Sequence, residues 1–400
     1  ASHRSSLTIP YIHTSRKVLS ITSQKQFLSF IISIMKFTCT SVALLCWTVA
    51  TSTTSAFSPL AATSATRSAS QQLSMSAAET TALGKPGTAK VDVPWEDLGF
   101  EFRPTKSHAR MTFKNGEWGP TELVTEPYIN IHIGATALHY GQSCFEGLKA
   151  FAHEDDSVHI FRPDENAKRM QSSCDRIMME APPMDRFLEA VNAAVRDNIE
   201  YVPPYGSGGA LYVRPLLFGS GPRIGVQPSD EYTFICLVTP VGDYYKGGLA
   251  APVDALLITD FDRAAPRGVG AVKVAGNYAA DLLPNMLSKK KGFPIGLYLD
   301  AKTQTMVEEF STSNFVGIDN EEKKFVTPFS GSVLPSITNK SLMTLAEDEG
   351  LTVEAREVPV EELNDFDEVL AVGTAVVVTP VGSITQFSAV DGSEKKYEFG

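Results

Sequence analysis

Hydrophobic periodicity divides the chain into a start without pattern and a densely patterned remainder that begins near Trp95-Glu-Asp-Leu-Gly-Phe100. Ile129-Asn-Ile-His-Ile133 alternates with period two and predicts a strand. Leu138 to Phe151 reads as a turn, a short helix and a strand, and Val158-His-Ile-Phe-Arg162 as another strand. Pro163 suits the first turn of a helix that carries Asn166 and Arg169. A second amphipathic helix runs from about Met184 to Tyr201, with Phe187, Leu188, Val191, Ala194, Val195 and Ile199 on one stripe. Strands follow at Ala210 to Pro215 and Tyr232 to Val238, and then a Gly-rich connector, Pro240 to Gly248.

Beyond the connector, Val253 to Ile258 is a strand. The run after Tyr278 predicts a helix ending at Lys289-Lys-Lys-Gly292, because cations and then glycine favour a stop. Pro284 within it predicts a kink or a split. Strands are expected at Ile295 to Leu299 and Val307 to Val316, and a turn near Asn320-Glu-Glu322 returns through Phe325-Val-Thr327. Ser330 to Ser336 opens a helix, and Val369 to Val378 is an apolar strand pair broken at Gly373-Thr374. Strands and helices in both halves predict an α+β fold of two domains, a smaller one over 93–243 and a larger one over 244–400.

Composition changes little: 43% apolar and 20% charged residues describe an ordinary globular chain. A net charge of −11 argues against nucleic acid as a partner, which would need a basic face. Of five cysteines, none forms a C-x-x-C pair or a zinc spacing, so no metal site is expected. Cys144, Cys174 and Cys236 are expected as buried free thiols in a reducing compartment. The first 78 residues contain no Asp or Glu. Residues 1–34 read as translated upstream sequence, and Met35 as the first plausible initiator. A short apolar run, Val42 to Ala50, and a Ser/Thr/Ala-rich stretch after Phe57 then read as a signal followed by a transit peptide within 35–92. That order resembles the bipartite presequences of secondary plastids, with a mitochondrial leader as the alternative. No membrane span is expected in the mature form.

Several residues carry chemistry. Lys273 lies between small residues ahead of a Gly-Asn-Tyr turn, where partial desolvation would make its amine a nucleophile toward carbonyls. Tyr212 and Arg214 alternate on one strand and share a face, as a carboxylate clamp requires. Glu308 and Glu309 are adjacent on a strand and are expected on opposite faces, one solvated, the other buried beside a cation. The Ser330-Gly-Ser-Val333 loop at a helix N-terminus and the Gly373-Thr-Ala375 turn each offer N–H groups to an anion.

Taken in order, Phe145-Glu-Gly-Leu-Lys-Ala-Phe151, Tyr212-Val-Arg-Pro215, Lys273-Val-Ala-Gly-Asn-Tyr278, Glu308-Glu-Phe-Ser-Thr-Ser-Asn314, Gly331-Ser-Val-Leu-Pro335 and Gly373-Thr-Ala375 resemble the branched-chain-amino-acid aminotransferases, in their plant and algal branch. The resemblance covers Trp95 to Gly400. It implies the class IV pyridoxal-phosphate fold, with a pseudo-barrel in the larger domain, the cofactor between the domains, and a homodimer. It also implies reversible amino transfer between L-Leu, L-Ile or L-Val and 2-oxoglutarate, other 2-oxo acids and glutamate being the further small-molecule partners.

The same resemblance assigns roles. Lys273 would hold pyridoxal phosphate as a Schiff base and carry the proton; Glu309 would face the pyridine nitrogen and Tyr278 the phenolic oxygen. Arg169, Ser332, Val333 and Thr374 would hold the phosphate, Thr312 would join the cofactor site, and Phe100, Tyr140, Tyr212 and Ala375 would line the substrate pocket. Arg214 would meet the side-chain carboxylate of glutamate. Departures from the family pattern at Ala275, at Glu309-Phe-Ser-Thr312 and at Ser330-Gly-Ser-Val333 touch pocket detail. Family members are expected to continue past position 400 with a terminal helix, so the chain reads as C-terminally truncated. A D-amino-acid aminotransferase, an aminodeoxychorismate lyase and a non-catalytic relic of the fold stay open as alternatives.

Overall fold

The computed structural model describes residues 84–90, 93–245, 251–388 and 390–400. The upstream segment and almost all of the predicted leader lie outside the described residues.

The first sheet contains β1 (His108–Lys114), β2 (Glu117–Trp118), β3 (Glu122–Val124), β4 (Ser143–Phe145), β5 (Leu148–Ala152), β6 (Val158–Ile160), β7 (Ala210–Gly219) and β8 (Tyr232–Val241). Its order is β2-β1-β8-β7-β5-β6, with β3 beside β1 and β4 beside β7. A short helix, α1 (Thr136–Tyr140), precedes β4, and α2 (Pro163–Arg176) and α3 (Met184–Asp197) follow β6. Phe187, Val191, Ala194 and Val195 of α3 pack with Met111, Phe234 and Val238 into one core, so the stripe read from the sequence is the buried face. The predicted strand at 129–133 does not form. Ile129 and Ile133 are exposed apolar residues without a neighbouring strand, and alternation alone cannot supply one.

The second sheet contains β9 (Val253–Ile258), β10 (Ile295–Leu299), β11 (Met306–Phe310), β12 (Asn314–Asp319), β13 (Lys324–Pro328), β14 (Thr352–Arg356), β15 (Val358–Pro359), β16 (Glu368–Gly373), β17 (Val377–Phe387) and β18 (Glu394–Glu398). Six of these strands close on themselves in the ring β12-β16-β17-β9-β10-β11, because β11 pairs back onto β12. The closing register is a single pair, Glu309 opposite Asn314. It exists because the expected strand from Val307 to Val316 breaks at Ser311–Ser313 and doubles back. Leu297, Phe310, Phe315, Phe366 and Ile384 fill the core, with the Phe310 and Phe315 rings stacked at 5.8 Å.

Two helices cross between parallel strands: α4 (Ala275–Lys290) joins β9 to β10, and α5 (Ile337–Asp348) joins β13 to β14. The expected split does not occur: α4 continues as one helix through Pro284, which is buried. The C-terminal signal holds, with Lys289 and Lys290 in the last turn. Cys144, Cys174 and Cys236 are free and buried.

Candidate active site

Lys273 lies in the crossover after β9, two residues before α4 begins. Its backbone is stitched to the first sheet on both sides. The Lys273 N–H donates to Ser173 Oγ on α2 at 3.0 Å, and its carbonyl accepts from the Phe145 N–H on β4 at 3.1 Å. Asn277 Nδ2 donates to the carbonyls of Val269 and Val272 at 2.8 and 3.0 Å and so fixes the approach. Gly270 is required there, since a Cβ would stand 2.1 Å from the Ser332 carbonyl oxygen.

The amine of Lys273 donates to Tyr278 Oη, in the first turn of α4, at 2.8 Å. It lies 4.9 Å from the centroid of the Phe145 ring. Burial lowers its pKa to about 8; Arg169 and Arg214 push the same way, while Glu146 and Tyr212 oppose them. An amine poised near working pH can both take and return a proton.

Glu309 supplies the opposite pole. It is 4% exposed, and Arg263 Nη2 lies 2.5 Å from its Oε1. The Leu334 N–H donates to the same oxygen at 3.0 Å, and Asn314 Nδ2 reaches Oε2 at 3.3 Å. Burial outweighs Arg263 and raises the Glu309 pKa to about 7. The sequence calls for a cation beside this carboxylate, and within the chain that cation is Arg263. The companion expectation fails: Glu308 is also buried, not solvated, and its Oε1 accepts from the hydroxyls of Ser330 and Ser332. The barrel wall is covered on both faces at this point, so neither side of the strand meets water.

Arg169 is aimed by Glu146, which is fully buried. Nε donates to Oε1 at 2.8 Å and Nη2 to Oε2 at 2.7 Å, a two-pronged pair to which Asn166 Nδ2 adds a bond at 2.7 Å. The remaining nitrogen, Nη1, donates to the Pro335 carbonyl at 2.9 Å, which ties α2 to the loop before α5. In that loop the Ser332 N–H is given to Ser330 Oγ at 3.2 Å. The helix itself opens later than its loop suggested: Ser336 is the cap and accepts the Asn339 N–H. Ser332 and Val333 therefore stand upstream of the helix N-terminus, and the helix dipole is not the source of any anion affinity there. In the turn between β16 and β17, the N–H groups of Thr374 and Ala375 donate to no acceptor among the described residues.

The apolar wall is aromatic. Phe100 meets Tyr212 edge-on at 5.0 Å and Tyr244 at 5.1 Å. Arg214 Nη2 donates to Tyr212 Oη at 2.9 Å while its guanidinium lies 4.6 Å from the Phe145 ring centroid. Gly147 lies under this pair, where a Cβ would be 2.4 Å from Tyr212 Oη. Thr312 is hydrogen-bonded to the Tyr244 hydroxyl. Tyr140 stands apart: it is 44% exposed, and its hydroxyl donates to the Ile224 carbonyl.

The structure thus gathers Lys273, Tyr278, Glu309, Arg169, Tyr212 and Arg214 within electrostatic reach of one another. Sequence reasoning gave no role to Arg263, Glu146, Lys149 or Tyr244. Glu146 and Lys149 sit inside a quoted motif, and Tyr244 inside the connector. Arg263 has no local signal, because its partner lies forty-six positions on.

This arrangement agrees with what the chain is similar to. Residues 143–384 match the family model described as amino-transferase class IV, and the chain belongs to that family. A branched-chain-amino-acid aminotransferase of Haemophilus influenzae is 47% identical over 300 residues, covering 73% of this chain and 86% of the relative. The chloroplastic branched-chain-amino-acid aminotransferase 5 of Arabidopsis thaliana is 42% identical over 301 residues, covering 74% and 71%. A crystal structure of the Escherichia coli branched-chain amino acid aminotransferase superposes with a TM-score of 0.60 at 28% identity, covering 73% and 88%. Within class IV, the chain falls among the branched-chain-amino-acid aminotransferases.

The lowered pKa of Lys273 has a consequence for stability. Its folded value, about 8, lies below the ordinary 10.5, so the unfolded chain binds the extra proton between those limits. The penalty is full below pH 8 and disappears as pH rises to 10.5. Lys273→Met should therefore stabilise the cofactor-free protein near neutral pH by up to about 3 kcal/mol. Urea midpoints for both proteins, compared at neutral pH and near 10.5, should show the gain vanish at the higher pH.

Proposed function

We propose that this site moves an amino group between L-leucine, L-isoleucine or L-valine and 2-oxoglutarate, with pyridoxal phosphate held on Lys273. The observation that carries the reading is the enclosed amine of Lys273, 2.8 Å from Tyr278 Oη and close enough to Glu309 to affect its titration. The donor set fits the group. A buried carboxylate with an under-used Oε2 suits a pyridinium nitrogen, a tyrosine hydroxyl suits a phenolic oxygen, and the free N–H groups beside Thr374 suit a phosphate or carboxylate. When bound, pyridoxal phosphate supplies an aldehyde carbon that receives the amino group and a cationic ring that withdraws electron density.

The chain does the rest. Arg169, held by Glu146, presents its outer N–H groups to the phosphate together with Ser332, Val333 and the Thr374 hydroxyl, which leaves the Thr374 and Ala375 N–H groups for a carboxylate. Glu309, paired with Arg263, keeps a negative charge where the ring nitrogen must stay protonated. Tyr278 orients the Lys273 amine, which, once the substrate amine has displaced it from the cofactor's aldehyde carbon, would take the proton from the substrate Cα and deliver it to that carbon. Phe100, Tyr212 and Tyr244 exclude water and accept a branched side chain, and Thr312 holds Tyr244. Arg214 takes glutamate's second carboxylate at the edge of that wall. An apolar pocket separates branched chains poorly, so one site serves all three.

The reading extends to assembly. Tyr128, Ile133, Leu138, Tyr140, Ile224 and Val226 are exposed in two segments that Tyr140 and Arg223 bind together. A clustered apolar face of this kind marks an interface, and a second copy covering it would bring Tyr140 to the neighbouring site. Sedimentation at micromolar concentration should give twice the monomer mass, and Ile133→Asp with Val226→Asp should shift it to monomer; a wild-type monomer would refute the assembly. The chloroplastic plant relative and the acid-free leader support delivery to a plastid; a reporter behind residues 35–80 that stays outside plastids would count against this.

The activity itself is read by incubating the purified protein with pyridoxal phosphate, L-leucine and 2-oxoglutarate. Glutamate should form, and Lys273→Ala should abolish it while the fold persists. Activity on D-alanine or aminodeoxychorismate without glutamate formation would move the chain to another branch of class IV.

A further inference from the structure

Lys149 is a second lysine of the site, buried where Lys273 is half-buried, and amino transfer gives it no task. It stands on β5 directly opposite Tyr212 on β7, so the two share the face that lines the pocket. It is 7% exposed, and among the described residues its ammonium forms no ion pair. Burial lowers its pKa to about 8, with Asp243 of the connector pulling the other way. An ammonium kept out of water without a counter-charge is costly. Its one hydrogen bond crosses from the first sheet to the second: Nζ donates to the Ala375 carbonyl at 3.1 Å.

The turn that receives this bond is strained. Thr374, Ala375 and Val376 join β16 to β17, and Val377 just beyond them has a φ of 56°. That is the left-handed region, which a β-branched residue avoids. Such a conformation persists only where its surroundings over-determine it. Two contacts do so here: Lys149 holds the Ala375 carbonyl, and Thr379 Oγ1 donates to the Val376 carbonyl at 3.2 Å. With those carbonyls fixed, the N–H groups of Thr374 and Ala375 have no acceptor among the described residues and lie adjacent to one another, as an anion nest requires.

We propose that Lys149 is a positioning residue for the substrate end of the site: by holding the Ala375 carbonyl it keeps the strained turn in the form whose free N–H groups receive a substrate carboxylate. The proposal rests on the amino-transfer reading, because the amino acid and the oxo acid both carry that carboxylate. It separates Lys149 from Lys273. One amine serves the reacting atoms; the other touches none of them and acts through the backbone of the turn.

The test compares wild type, Lys149→Met and Lys149→Arg as holoenzymes. In Lys149→Met, KM should rise for both L-leucine and 2-oxoglutarate by about tenfold, the scale of losing one hydrogen bond to a charged group, with kcat little changed. Amide hydrogen exchange over 373–377, followed by mass spectrometry, should accelerate. Lys149→Arg restores cation and donor and should recover part of both effects. If Lys149→Met does not fold, Lys149→Gln, which keeps a polar side chain at the position, carries the same comparison. Unchanged KM values with unchanged exchange over 373–377 would overturn the proposal, as would a fall in kcat alone. A wild-type enzyme inactive on branched-chain substrates would refute the functional reading instead, and the exchange measurement would still decide the role of Lys149.

Discussion

Burying charge inside a closed barrel is the constraint on which this structure turns. Glu309 stands at the single pair that closes the ring of strands, and it is out of water. A carboxylate there is tolerable only with a cation beside it. Arg263 supplies one, and in doing so binds the loop that leads to Lys273 to the loop that carries Ser332. Removing one partner of such a pair typically costs about 3–5 kcal/mol, a large share of a domain's stability. The barrel closure, the placement of the lysine loop and the electrostatics of the site are therefore one problem with one solution.

The same logic repeats across the cleft. Glu146 compensates Arg169 in a two-pronged pair, and the Arg169 guanidinium then reaches the Pro335 carbonyl in the other half. Lys273 has no carboxylate within ion-pair distance among the described residues; desolvation first, then the nearby Arg169, lowers its pKa, and Glu146 offsets only part of this. Arg169 and Arg263 each have a carboxylate partner, whereas Lys273 and Lys149 have none among the described residues; what sets the proposed roles of the two lysines apart is position, Lys273 beside Tyr278 and Lys149 on the Ala375 carbonyl.

Much of this was legible in the sequence, for a physical reason. Motifs such as Lys273 to Tyr278 and Tyr212 to Arg214 place chemistry through local spacing, a loop entering a helix in one case and strand alternation in the other, and local geometry survives folding. The stripe of α3 and the break at Gly373 are local signals of the same kind. What stayed hidden depends on contacts between distant positions. Arg263 reaches Glu309, Lys149 reaches Ala375, and Glu308 is enclosed by a loop over twenty residues away. The false strand at 129–133 fails in the mirror-image way: its alternation is real, but pairing needs a neighbour that the topology does not provide.

Of the two site lysines whose pKa is lowered to about 8, Lys273 alone is proposed to carry the cofactor. Borohydride reduction of the protein loaded with pyridoxal phosphate, followed by proteolysis and mass spectrometry, fixes the cofactor to the lysine that holds it. A phosphopyridoxyl group is expected on the peptide containing Lys273, with the peptide containing Lys149 unmodified. A label on Lys149, or on any other lysine with Lys273 left unmodified, would contradict it.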